Sequence, residues 1–452
     1  MKTVQQNIQR VQAFVEPRLR RALHFFASLV EDRRDPRGIR HPLPNCLLTL
    51  LLAMLSGRVP LRDVEKQSAE LGLGRRGKKI SDGCLTHVLK GMEENDLDTS
   101  LVQTVAEMWT RGQLKTVGFL QGWTAIDGKY SIFTHDCGGF AQKFVDKTGE
   151  YFRLGVLRAV QITAAGKPAL GQWAMPPVPG KVQENKEKQK HTGETTNLLP
   201  FIGWLREQYG DLTRNFTLDA GLWSKPIFLA LDATGFGVFC GLKANKLGLF
   251  TEAECILGVL RATQEPKAET DWEPYKNGHV RRRLWLTTRL ENWNGWIHLR
   301  QVLVVEQTKR DRDGKVTKVE LRYFVTNKSR DDLTPRQLLL LVRLHWSIEN
   351  DCNWTFDMQF DEDGGAWCTQ NKAVLVLGVL RMIAYNYLQW LRKKHLREEH
   401  ERVPSTPLPW RDLFNLVHRY LTDVGLELPR ILAQAPRPQL DGAPPSIATT
   451  LT

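Results

Sequence analysis

Residues 123–133 read WTAIDGKYSIF. This apolar run of β-formers carries one acid, Asp127, in its middle, followed at once by Gly128. It predicts a strand interrupted by a turn signal. Working outward, residues 151–163 (YFRLGVLRAVQIT) and 168–175 (PALGQWAM) predict two more strands across a turn at Ala165–Gly166–Lys167. A charged, hydrophilic loop is expected over 180–195. Leu198, Leu199, Ile202, Leu205 and Tyr209 then recur at helical spacing. A strand at 215–219 (NFTLD) ends on a second acid, Asp219, a helix follows Ser224, and a strand is predicted at 237–243 (GVFCGLK). Three strands, helix, strand, helix, strand describe an α/β fold: a mixed sheet flanked by helices, in which an antiparallel meander feeds parallel strands. Carboxylates at strand ends are well placed for chemistry in such sheets.

On the N-terminal side, residues 1–115 predict a helical domain. Val11, Phe14, Val15, Leu19, Leu23 and Phe26 fall on one helical face, and a second helix runs from about Pro44 to Leu55 and ends at Gly57. Ser81 and Asp82 cap a short helix through Leu85, Val88 and Leu89. The basic cluster Arg75, Arg76, Lys78 and Lys79 reads either as a DNA contact or as a solvated loop. The α/β pattern occupies 116–249 and gives way at 250–330 to a β-rich insertion, with strands at 283–290, 296–306 and 317–327 and a turn at Asp313–Gly314. From 331 to 400 the pattern is helical again. Thr334-Pro335-Arg336-Gln337 fits a capping box opening a helix that runs to about Phe360 and stops before Gly364–Gly365. A further helix spans about 372–393. Residues 401–452 form an extension whose last twenty residues are expected to be disordered.

The chain has 452 residues, with 63 Lys plus Arg against 50 Asp plus Glu, a formal charge of +13. That excess favours a polyanionic partner such as nucleic acid, although membrane-surface proteins share the sign. The seven cysteines form no CxxC pair, which argues against a zinc finger and for reduced thiols in the cytoplasm. No secretion signal opens the chain, and its longest apolar run, CLLTLLLAML at 46–55, is too short to span a bilayer. No membrane partner is expected.

Three segments carry the chemistry: AIDGKY with Asp127, TLDAGLW with Asp219, and RLHWSIENDCNW with Glu349. Either aspartate alone reads equally as a turn residue or a helix cap. Charged residues on apolar stretches need a partner or a metal, and hard cations take carboxylate oxygen. Residues 343–350 (RLHWSIEN), with Trp354, Asp357 and Glu362–Asp363, resemble the signature of the ISAs1 family of insertion-sequence transposases, related to the H-repeat-associated proteins and the IS4 group. Asp127-Gly128-Lys129, Asp219-Ala220 and Gly241-Leu242-Lys243-Ala244-Asn245 resemble further family segments, so that the likeness spans roughly residues 30–390.

The resemblance implies an RNase H-like fold with Asp127, Asp219 and Glu349 as a DDE triad, catalytic residues that hold Mg²⁺ or Mn²⁺, expected as two ions. It implies cleavage at transposon ends and transfer to target DNA, by a homodimer in the synaptic complex, in the cytoplasm of a bacterium and on its nucleoid. The alternatives are a nuclease of the same fold without strand transfer and a domesticated DNA-binding protein without catalysis. The chain departs from the IS4 pattern where His345 and Phe356 stand at steps that family gives to cations, which makes Arg343 and Lys129 the candidates for the missing phosphate contact. His345 either contacts the carboxylate or phosphate, or is a satisfied, partly buried histidine. Asn350 and Asn353 orient ligands or are plain helix polarity; Asp357 is a fourth acid or one half of an ion pair. Trp293 and Trp296 stack on a displaced base or pack a core. Arg281, Arg282 and Arg283 meet DNA or form a solvated face.

Overall fold

The computed structural model describes residues 2–58, 60–114, 120, 122–147, 149–164, 166–182, 189–191, 193–275, 277–363, 367–370, 372–396 and 408–424. Five helices come first: α1 (Lys2–Leu29), α2 (Leu43–Leu55), α3 (Leu61–Glu70), α4 (Asp82–Lys90) and α5 (Asp98–Thr110). The apolar positions read on α1 are all buried. Past α2 the chain turns at Gly57 in the left-handed region, where a side chain is disfavoured (φ 67°). Ser81 accepts from the Cys84 amide and starts α4.

Six strands follow: β1 (Trp123–Phe133), β2 (Ala141–Asp146), β3 (Gly149–Gln161), β4 (Ala169–Ala174), β5 (Pro177–Val182) and β6 (Gln189–His191). Then come α6 (Glu194–Tyr209), β7 (Asn215–Leu218), α7 (Lys225–Ala233) and β8 (Gly237–Leu242). β3 lies antiparallel to β1, while β7 is parallel to β1 and β8 parallel to β7. This is the antiparallel meander feeding parallel strands that the sequence predicts. β1 is not interrupted, however: it continues past Asp127–Gly128 to Phe133. The glycine serves a close approach instead, because a Cβ there would overlap the Glu194 carboxylate at the start of α6.

The segment read as a β-rich insertion opens with a helix, α8 (Leu247–Thr263), whose Leu249, Ala253 and Leu257 recur every fourth residue and are buried. Short strands β9 (Ala268–Glu269) and β10 (Glu273–Tyr275) precede the long β11 (Gly278–Thr287), β12 (Gln301–Arg310) and β13 (Val316–Thr326). β12 starts later than the predicted 296–306, because residues 288–300 form a tight excursion with Asn292, Asn294, Gly295 and His298 at positive φ. β13 pairs with β8, so these strands extend the central sheet rather than building a body of their own. The eleven-stranded mixed sheet runs β10-β11-β12-β13-β8-β7-β1-β3-β2, with β4 also on β3 and β9 on β11.

The capping box at Thr334 is present and opens α9 (Pro335–His345). The predicted single helix to Phe360 is divided. A π-helical turn, Ile348–Asn353, separates α9 from α10 (Trp354–Phe360). α11 (Ala373–Trp390) follows, and α12 (Trp410–Arg419) lies in the segment read as an extension; it buries Trp410, Leu413 and Val417. α11 is long and apolar enough to cross a bilayer, yet every residue of it is buried. It packs between α2, α5 and β4, and one hydrophobic core runs continuously from Val11 to Leu421. The helical region therefore shares its core with the sheet. The boundary near residue 116, part of the 180–195 loop, Ala165, the Gly364–Gly365 stop and the last twenty residues lie outside the described residues.

Candidate active site

The register of the central strands assembles the site. Ile126 on β1 pairs with Leu218 on β7, so the next step along both strands sets Asp127 beside Asp219, on strands about 4.8 Å apart. Because the strands are parallel and aligned, both carboxylates leave the same face of the sheet. Gly241 is the residue of β8 abreast of Asp219, and a Cβ there would lie in ordinary contact with Asp219 Oδ1, at 3.5 Å.

That face is covered by the end of α9 and the π turn, which packs on β1 and β3. Three residues spaced by four face the strands. Buried His345 shares a hydrogen bond with Thr217 Oγ1 on β7 (3.0 Å). Glu349 comes next, and Asn353 donates to Asp127 Oδ2 (3.3 Å). A π turn widens the helix locally and recurs at functional sites; here it carries the acid, whose side chain is partly covered and partly open to solvent.

The acids feel one another. Burial pushes Asp127 up to about 7, and the charges of Glu349 and Asp219 add to the effect. Glu349 is raised by burial and by Asp219, against the pull of Arg322 and Lys243. Lys243 reaches Asp219 Oδ2 at 3.4 Å. Among the described residues, no three His, Cys, Asp or Glu side chains converge tightly enough to hold a metal ion as they stand. The donor set nonetheless suits a hard divalent cation: three carboxylates within electrostatic range, two of which, Asp127 and Glu349, are held above their usual values by burial and by the neighbouring acids.

The side chains read as DNA contacts separate into two groups. Lys129 is bound to Asp357 (2.7 Å) and Asp363 (2.8 Å), which makes Asp357 an ion-pair partner rather than a fourth acid of the site. Arg281 pairs with Glu269, Arg282 with Glu273, Arg283 with Glu306, and Arg343 with Glu273. Those four share three acids, Glu269, Glu273 and Glu306, so each has an ion-pair partner while the group keeps an excess of positive charge. His345 is the satisfied buried histidine; burial lowers it to about 4, so it is neutral. Trp296 is core, edge-on to Trp223 with ring centroids 5.3 Å apart. Trp293 remains half-buried at the tip of the 288–300 excursion, next to Gly248. Asn350 donates back to the Trp346 carbonyl, whereas Asn353 donates to Asp127.

Sequence reasoning missed Arg158. It sits opposite Asp127 on β3 and is 1 % exposed. It donates to Asn353 Oδ1 (2.9 Å) and to Glu362 (2.8 Å), and lies 4.4 Å over the Phe356 ring. A charge inside the apolar run YFRLGVLRAVQIT was the available signal. Buried Arg381 stands 4.0 Å from the same Glu362. No protein-family model and no curated protein matches the chain.

Proposed function

We propose that the protein is a DDE transposase that cuts and joins DNA strands, and that its central sheet is of the RNase H-like kind. The observation that carries this reading is the pairing of β1 with β7, which puts Asp127 and Asp219 side by side under the turn bearing Glu349. The positive net charge and the resemblance of the 343–363 segment to ISAs1 transposases support it.

Asp127, Asp219 and Glu349 would hold one or two Mg²⁺ or Mn²⁺ ions, whose chemistry is to stabilise the attacking and leaving oxygens of phosphodiester exchange. The rest falls to the chain's own groups. Asn353 fixes the Asp127 carboxylate, and Arg158 fixes Asn353 from behind. Neutral His345 pins the end of α9 to β7 and so sets where Glu349 emerges. Glu349 is the most open of the three acids. The partners are transposon ends and target DNA, and two ends brought together call for a homodimer.

The test uses duplexes carrying the DNA that flanks the gene on either side, with Mg²⁺. Wild-type protein should nick them and join a 3′-hydroxyl end to target DNA. Asp127→Asn, Asp219→Asn and Glu349→Gln should each lose at least about 10³-fold in cleavage while retaining binding, because a neutral amide keeps the shape but ligates poorly. Cleavage without joining would make the protein a nuclease of the same fold; normal turnover in any one variant removes that residue from the site.

A further inference from the structure

Beside Glu349 a cleft of about 570 Å³ opens between the strands β10–β13 and the end of α9. Its walls carry Lys167, Arg282, Lys309, Arg322 and Arg343, against the acids Glu273 and Glu349. Most of those cations are already matched. Lys167 binds Asp351 and Ser347, Arg282 and Arg343 share Glu273, and Lys309 holds Glu320. Arg322 differs: among the described residues it has no carboxylate within ion-pair distance.

Its position is set by register. Tyr323 on β13 pairs with Leu242 on β8, so Arg322 stands abreast of Lys243, at the edge where Asp219 lies. Its guanidinium stacks 4.4 Å over the ring of Trp346, three residues before Glu349. Stacking holds the planar fork in place while leaving its N–H edge free to donate. Its charge is felt at both Glu349 and His345.

We propose that this cleft seats a phosphodiester group of the bound DNA strand and that Arg322 clamps it, the arginine donating to two phosphate oxygens. The residue is thereby a substrate-positioning group supplied by the β-rich segment, not by the helix that carries the acid. This rests on the proposed reading of the three acids as a DNA-cutting site.

The experiment is binding of the full-length chain to a fluorescein-labelled duplex, with Ca²⁺ in place of Mg²⁺, over a range of salt. Arg322→Gln should weaken binding and reduce the steepness of the log affinity against log salt plot by about 0.9, the value for one lost phosphate contact. Arg322→Lys should keep the slope but recover only part of the affinity, since a point charge replaces the fork. Lys318→Gln, on the same strand but paired with Glu320 at an exposed position, should change neither. Unchanged affinity and slope in a folded Arg322→Gln protein would overturn the proposal, as would absence of DNA binding by the wild type. If Arg322→Gln shows the loss but the wild type never cleaves DNA, the cleft stands and the transposase reading fails. If the wild type cleaves and Arg322→Gln binds normally, the reverse holds.

Discussion

His345 is buried against Thr217, and burial lowers it to about 4 from an ordinary 6.5. A base whose folded value is depressed contributes stability that is complete above 6.5 and is lost as pH falls toward 4, at roughly 1.4 kcal/mol for each tenfold difference in proton affinity between the folded and unfolded chain. Urea unfolding of the wild type and His345→Asn should therefore show curves that converge as pH drops from 7 to 5. A gap that widens with acid contradicts a neutral histidine. The same contact makes His345 an anchor between the end of α9 and β7. Asp127 and Asp219 were legible because each is an isolated acid at an apolar strand. The commitment of Lys129 to Asp357 and Asp363 was not, because it joins residues more than 200 positions apart.

At the scale of elements, the buried pair of Arg158 and Glu362 ties β3 to the loop after α10. Burial alone would raise Glu362, but Arg158 and Arg381 hold it below its usual value. Glu362→Gln leaves two buried guanidinium groups without a counter-charge, and should cost about 3–5 kcal/mol by equilibrium denaturation. Replacing Arg158 and Glu362 together by Met and Leu should cost less than the single change; an equal or larger loss would argue against charge as the cause. Gly128 makes a second test. Gly128→Ala should displace the flexible Glu194 carboxylate at a cost of no more than about 0.5 kcal/mol, and that cost should vanish in a Glu194→Ala background. The helical spacing of Leu249, Ala253 and Leu257 was present in the sequence, yet the neighbouring β-formers masked α8. The division of the long helix was hidden too, because no proline or glycine marks the π turn at Ile348–Asn353.

Across the whole molecule, strand order and register decide what the chain can do, and both are non-local. The sequence announces strands and their order, but not that β13 pairs with β8, which carries the β-rich segment into the central sheet and brings Arg322 abreast of Lys243. Nor does it announce that α11 is enclosed by the N-terminal helices. Each buried Leu or Val of α11 is worth about 1.5–3 kcal/mol, so removing residues 1–114 should expose an apolar helix that the sheet cannot cover. The truncated chain should aggregate or show a molten, dye-binding state, and the full chain should unfold in one cooperative transition; a soluble, well-packed truncation would refute the shared core. The proposed function, in turn, requires Asp127, Asp219 and Glu349 to meet around divalent cations. Anomalous diffraction from crystals of the DNA complex soaked in Mn²⁺ tests this most directly. Peaks within coordinating distance of all three carboxylates are the predicted result; full Mn²⁺ occupancy elsewhere, with these oxygens unligated, would contradict it.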